Sequence, residues 1–207
     1  MAQHDGRPLP PIVDGRPLPP IIFLDVDGVL HPTHNGETFF QPACMRNLRS
    51  IIEATGAVIV LSSSWQAHEA GRADVNEVLK RWGISPFVAH TVHNGQVGAS
   101  EERRAREIMA WIGAHRMACS SGWIIIDDLA LDRVAAPPSF SPLVPPGRLI
   151  KVSDAVGLTQ QDANFAITAL GGRNPKAPPL PAPQQNATEP IYRPGVERTS
   201  AGRGRDR

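Results

Sequence analysis

The stretch "IIFLDVDGVLHP", residues 21–32, sets four apolar residues in front of two aspartates, Asp25 and Asp27, followed at once by Gly28. A short apolar run that ends in turn-forming residues reads as a buried strand, with the two carboxylates at its mouth. Like charges this close repel, and burying them costs desolvation. A fold that keeps both needs a cation or a reaction to justify them.

Outward from this stretch, strand and helix signals alternate. "PACMRNLRSIIEATG", 42–56, opens with Pro42 at a helix start and closes on Gly56 as a stop. "AVIVL", 57–61, predicts a second buried strand, "DVNEVLKRWG", 74–83, a second helix, and "FVAH", 87–90, a third strand. In "SEERRAREIMAWIGAH", 100–115, Ser100 stands as a cap, two acids fill the first turn, and Ala105, Ile108, Met109 and Ile112 form one apolar stripe. "WIIID", 123–127, is the fourth strand and "RLIKV", 148–152, the fifth. Thr159 with Asp162 predicts a capping box ahead of "QQDANFAITAL", 160–170. The alternation predicts an α/β fold, a three-layer Rossmann-like parallel sheet with helices on both faces.

Composition bounds the rest. The 207 residues are enough for one well-buried domain with chain left over. A formal net charge of +1 argues against both a strongly basic nucleic-acid module and an acidic disordered chain. The two cysteines, Cys44 and Cys119, show no CxxC or histidine spacing and read as reduced thiols of a cytoplasmic protein. No apolar run approaches the roughly 20 residues of a membrane span, and no signal-peptide pattern opens the chain. "DGRPLPP" occurs at 5–11 and again at 14–20, so residues 1–20 form a Pro-rich arm, either a duplicated spacer or a docking peptide with PxxP spacing. The domain is expected over 21–172. The Pro- and Arg-rich tail over 173–207 has too little apolar content to offset ordering entropy and is expected to be disordered.

In an open parallel sheet, ligands bind beyond the carboxyl ends of the strands. Asp25 and Asp27 end the first strand, Ser62 to Ser64 the second, and Asp127 with Asp128 the fourth, so three polar clusters share one edge. Arg104 sits in the first turns of a helix that starts at that edge, four residues before Ile108, which turns it toward the sheet. Each piece also has a plain alternative: a strand with a tight glycine turn at Gly28, a serine loop, an aspartate pair capping a helix. Their joint order along one edge favours chemistry.

"DVDGVL", a hydrophobic strand ending in serine, a later basic residue on a helix, and "IIIDD" together resemble the haloacid dehalogenase (HAD) superfamily, over about residues 21–170. Within it, "FLDVDGVLHP", "VLSSSW" and "IIIDD" are most similar to the HAD domains of Swiss Army Knife RNA repair proteins. The resemblance implies a Mg²⁺-dependent phosphatase in which Asp25 is the nucleophile and becomes an aspartyl phosphate, while Asp27 is the general acid and base. It implies metal ligands from Asp25, the backbone carbonyl of Val26 and Asp128, with Asp127 orienting the set. Ser62 would donate to a phosphate oxygen and Arg104 would balance charge on the transferring group, where many relatives carry lysine. Asp132 reads either as a water-mediated metal contact or as a solvent-facing acid. Ser63 and Trp65 are candidate substrate contacts, Trp65 either stacking a base or capping the sheet edge. His31, His34, His68, His90, His93 and His115 lack ligand spacing and read as surface or packing residues.

Between His31 and Leu61 a hairpin around "HNG" and one helix use up the chain, and the next interval holds a helix, a strand and a turn. Neither leaves room for the cap domain that closes over small metabolites in this superfamily. An uncapped site favours a phosphate on a large partner, such as a nucleic-acid end or a phosphoprotein. Arg198, Arg203, Arg205 and Arg207 of the tail would add weak, salt-sensitive attraction to a nucleic acid, although the domain itself carries no evident basic groove. No membrane and no stable protein partner are expected. A nucleotide phosphatase, or a phosphoryl-binding module that keeps the fold without catalysis, is the alternative.

Overall fold

The computed structural model describes residues 18–34, 39–92, 99–136 and 141–172. The expectations for the arm up to residue 17, for Asn35 and Gly36 of the "HNG" hairpin, for His93 and for the tail from 173 lie outside these residues.

Strand β1 (Ile21–Leu24) is the middle of the sheet because all four of its residues are apolar and buried, as only a strand covered on both faces requires. The chain continues through helix α1 (Pro42–Thr55), β2 (Val58–Leu61), a 3₁₀ turn (Ser64–Ala67), α2 (Glu69–Arg81) and β3 (Ala89–His90). It then passes α3 (Ser100–Ala114), β4 (Trp123–Asp127), a 3₁₀ turn (Leu131–Arg133), the short antiparallel pair β5 (Ala135–Ala136) and β6 (Ser141–Pro142), β7 (Leu149–Lys151) and α4 (Gln160–Ala169). The main sheet runs β3-β2-β1-β4-β7, every pair parallel, as expected. The strands first step outward from β1 to β3 and then restart on its other side with β4, so the order reverses at β1, where an open sheet leaves a crevice at its carboxyl edge.

The period-two alternation of β1 assigns its two faces. Ile22 and Leu24 join Ile59, Leu61, Ile124 and Ile126 in a core covered by Met45, Leu48 and Ile51 of α1, Val75 and Leu79 of α2, and Ala166 and Ile167 of α4. Ile21 and Phe23 face the other way, with Val60 and Ile125, against Ala105, Ile108 and Trp111 of α3. Phe23 is held edge-on between Trp111 and Trp123, with ring centroids 5.3 and 6.1 Å away. The three layers are therefore unequal, with three helices on one face and one helix on the other.

The helix ends show where local signals suffice. α1 begins with proline in its first turn and ends on Gly56 at φ 66°, whose N–H returns to the Ile52 carbonyl. The capping box of α4 is present: Thr159 Oγ1 accepts the Asp162 amide at 3.2 Å, and the Asp162 carboxylate accepts the Thr159 amide at 2.9 Å. Two expectations are corrected. Ser100 is the first residue of α3 and makes no cap bond, the N-cap being Ala99. α2 starts at Glu69, five residues ahead of Asp74, because "EAGRA" carries no apolar period to announce it. Gly71 in that first turn has a tertiary reason, since a Cβ there would stand 2.5 Å from the Trp65 carbonyl oxygen. No described helix is long and apolar enough to cross a membrane, and among the described residues no further domain is inserted between the strands.

Candidate active site

The sheet's own ladder carries three polar residues past its edge. The Asp25 amide donates to the Ile126 carbonyl at 3.1 Å, the Ser62 amide to Leu24 at 2.8 Å, and the Val152 amide to Asp127 at 3.1 Å. Asp25, Ser62 and Asp127 therefore stand side by side in strand register, set by backbone hydrogen bonds rather than by loops. Gly28, at φ 75°, turns the chain away after Asp27. A Cβ there would lie 2.6 Å from Asp128 Cγ, so the missing side chain is also what lets the Asp128 carboxylate settle against β1's exit.

Carboxylate oxygens of Asp25, Asp127 and Asp128 lie within 4.8 Å of one another. Arg104 reaches down from α3 and bridges two of them, with Nη1 2.9 Å from Asp25 Oδ2 and 2.7 Å from Asp127 Oδ2. The other oxygens of this pair are also engaged: Asp25 Oδ1 accepts the Val26 amide at 2.8 Å and Asp127 Oδ1 the Leu129 amide at 2.9 Å. Burial pushes the Asp127 carboxyl up, with the charge of Asp25 adding to it, and Arg104 only partly offsets the rise to about 7. Burial and Asp25 also raise Asp128, with a smaller push from Asp154. Burial works against the Arg104 charge, but Asp25 and Asp127 overcome it and hold the guanidinium protonated.

Three carboxylates against one guanidinium leave the cluster two charges short of neutral when all are ionised (three minus one). A hard divalent cation with oxygen ligands fits that donor set. Ser62 sits beside it, one strand away from Asp25, and Ser63 follows; both are buried, with hydroxyls that find no hydrogen-bond partner among the described residues. A buried hydroxyl left unpaired costs about 1–3 kcal/mol, and Ser62, beside Asp25, is in reach of whatever the acidic cluster holds.

Asp27 is not one of these three carboxylates. Its Oδ1 takes the Trp65 indole N–H at 3.0 Å and meets His31 Nε2 at 3.1 Å, while its Oδ2 accepts the Ser64 hydroxyl at 3.0 Å. Around these bonds the rings of His31, Phe39, Phe40 and Trp65 meet edge to face at 5.1–6.1 Å. Phe40 takes the left-handed backbone conformation, φ 56°, rare for a bulky residue.

This geometry bears on several expectations, revising those for the Val26 carbonyl and His31 and agreeing with one of the two alternatives held for Asp132 and Trp65. The Val26 carbonyl accepts the Leu30 amide at 2.8 Å and the Val29 amide at 3.2 Å, so both lone pairs turn into the loop rather than toward a metal. Asp132 is exposed on the 3₁₀ turn and stays out of the acidic group, and the further acid that Asp128 feels is Asp154. Trp65 is only 7% exposed and packed on Phe39 and Phe40, which makes it a cap over the sheet edge rather than an open stacking platform. His31, read as a surface or packing residue, is 4% exposed and bonded to Asp27. Its one local signal is the spacing of four from Asp27 across a glycine turn. Ser64 gives none, since its link to Asp27 spans 37 residues.

The family model described as "HAD domain in Swiss Army Knife RNA repair proteins" matches residues 21–163. No curated protein and no solved structure matches the chain.

Proposed function

Because the chain belongs to the family of HAD domains in Swiss Army Knife RNA repair proteins, we propose that it is a Mg²⁺-dependent phosphomonoester hydrolase working through an aspartyl phosphate on Asp25. The observation that carries this reading is the pair of unpartnered buried hydroxyls, Ser62 and Ser63, one strand away from a carboxylate already held by a guanidinium. That combination suits a phosphoryl group, whose oxygens would accept from Ser62 and whose charge Arg104 would share.

A carboxylate oxygen of Asp25 attacks phosphorus, and the bond from phosphorus to the leaving oxygen breaks as that oxygen takes a proton from Asp27. Water then attacks the phosphorus of the aspartyl phosphate, its proton passes to Asp27, and the bond to Asp25 breaks. The products are an alcohol and inorganic phosphate, with both aspartates restored. Mg²⁺, held by Asp25 and Asp128, would neutralise charge on the carboxylates and phosphoryl oxygens. Asp127, tied to Arg104 and the Leu129 amide, orients this set.

The site is uncapped among the described residues, which supports a phosphate carried by a large molecule, and the family's description favours a nucleic-acid end over a phosphoprotein. The test is a panel of 3′-phosphorylated, 5′-phosphorylated and 2′,3′-cyclic oligonucleotide ends against mononucleotides, sugar phosphates and phosphopeptides, with and without Mg²⁺. Metal-dependent release of phosphate from oligonucleotide ends is expected. Preference for a free sugar phosphate or mononucleotide overturns the substrate assignment. Binding of phosphorylated ends with no turnover of any member makes the protein a phosphoryl-binding module.

A further inference from the structure

We propose that Trp65, His31 and Ser64 are positioning residues that hold Asp27 in the one orientation from which it can protonate the leaving oxygen. The proposal rests on the hydrolase reading above. An aspartate two residues from Asp25 has a nearby alternative, which is to swing toward the cation site, where a carboxylate would be welcome to the metal and useless as an acid. Among the described residues Asp27 instead takes bonds from three side chains on two separate segments, His31 on its own turn and Ser64 with Trp65 beyond β2. It stays out of the group formed by Asp25, Asp127 and Asp128.

The donors divide the two oxygens by chemistry. An indole N–H can only donate, so Oδ1 faces a group that cannot accept a proton back. A serine hydroxyl donates or accepts by rotation, so Oδ2 faces a group that tolerates a carboxyl O–H. His31 Nε2 must carry hydrogen to bond the ionised carboxylate, and its Nδ1 is buried without a partner. The imidazole is therefore committed to Asp27 rather than shared with a second group. Phe39 and Phe40 hold both rings edge to face, which keeps the donors from rotating away.

The test uses the full chain with Mg²⁺ and two esters, p-nitrophenyl phosphate and an alkyl phosphate, compared by kcat/KM so that only steps up to transfer onto Asp25 are read. p-Nitrophenolate leaves without a proton and an alkoxide does not, so a misaligned acid is felt on the alkyl ester alone. Trp65→Phe keeps a ring in the aromatic cluster and removes the N–H. It is expected to lower kcat/KM for the alkyl ester about tenfold to a hundredfold while the aryl ester changes less than about threefold. His31→Phe should show the same split, and His31→Gln, which restores an N–H at similar reach, should recover most of the loss. Asp27→Asn is the reference for a complete split. An equal fall on both esters would mean a merely structural role and overturns the proposal, as does no fall on either.

A second measurement is independent of turnover. The Trp65 indole N–H resonance, identified by its loss in Trp65→Phe, is expected to be protected from exchange and to move in Asp27→Asn. An unprotected, unmoved resonance overturns the positioning bond even if the enzyme is active. If the unaltered protein cleaves neither ester while the resonance is protected and moves, the hydrolase reading fails, and the role falls with it although the bond stands.

Discussion

Two carboxylates two residues apart, Asp25 and Asp27, live in opposite surroundings. Asp25 sits among charges, with Arg104 at 2.9 Å and two further carboxylates within 4.8 Å. Asp27 sits among an indole, an imidazole and a hydroxyl, ringed by phenylalanines. The strand's period of two would send both side chains to one face if β1 continued, but it ends at Leu24 and Gly28 turns the chain. In the proposed hydrolase that difference is what would let one short motif supply both a nucleophile and an acid, since environment rather than residue type would separate the roles.

The comparison breaks most visibly at Asp25. Asp25→Asn removes the proposed nucleophile with little change in size and is expected to cut phosphate release by about 10³-fold or more, with the fold retained in a circular-dichroism spectrum. Full activity in that variant would mean that the charged neighbourhood is not where bond-making occurs. Next in size, Asp128→Ala should raise the Mg²⁺ concentration for half-maximal activity by about tenfold to a hundredfold, read from a metal titration. The equivalent change at exposed Asp132 should leave the titration where it was.

Gly28→Ala probes the seam between the two environments. The new Cβ would meet Asp128 Cγ at 2.6 Å in a backbone conformation that alanine avoids. A stability loss of about 1–3 kcal/mol in chemical denaturation is expected, together with weaker Mg²⁺ dependence of the melt. The smallest effect is a pH response confined to the charged side. Asp127 titrates at about 7 in the fold, above the ordinary carboxylate value it has when unfolded. Between those values the folded chain holds more protons than the unfolded chain, so stability falls as pH rises. Metal-free protein should therefore melt a few degrees higher at pH 5 than at pH 7.5, and Mg²⁺ should narrow the gap by favouring the ionised cluster.

Much of the fold was legible because its signals are local. The apolar runs at 21–24, 58–61 and 123–127, the proline and glycine that bound α1, and the Thr159–Asp162 box each lie within a few residues of the structure they cause. The convergence of Asp25, Ser62, Arg104, Asp127 and Asp128 was equally legible, since strand ends of a parallel sheet share an edge whatever their separation along the chain. The start of α2 was not, because "EAGRA" carries no period and Gly71 answers to a carbonyl across the turn.

By itself, then, the sequence determined which residues reach the sheet's carboxyl edge, through hydrophobic periodicity and capping chemistry that act over one or two turns. Only the tertiary structure decided what each of them meets there. Arg104 bridges Asp25 and Asp127, the Val26 carbonyl is spent on the amides of its own turn, Asp154 rather than Asp132 adds to the field on Asp128, and Asp27 is claimed by His31, Ser64 and Trp65. Periodicity reports the face on which a side chain emerges. Which way a carboxylate then turns depends on a loop's dihedral angles and on donors brought in from distant parts of the chain, and neither is written in local pattern.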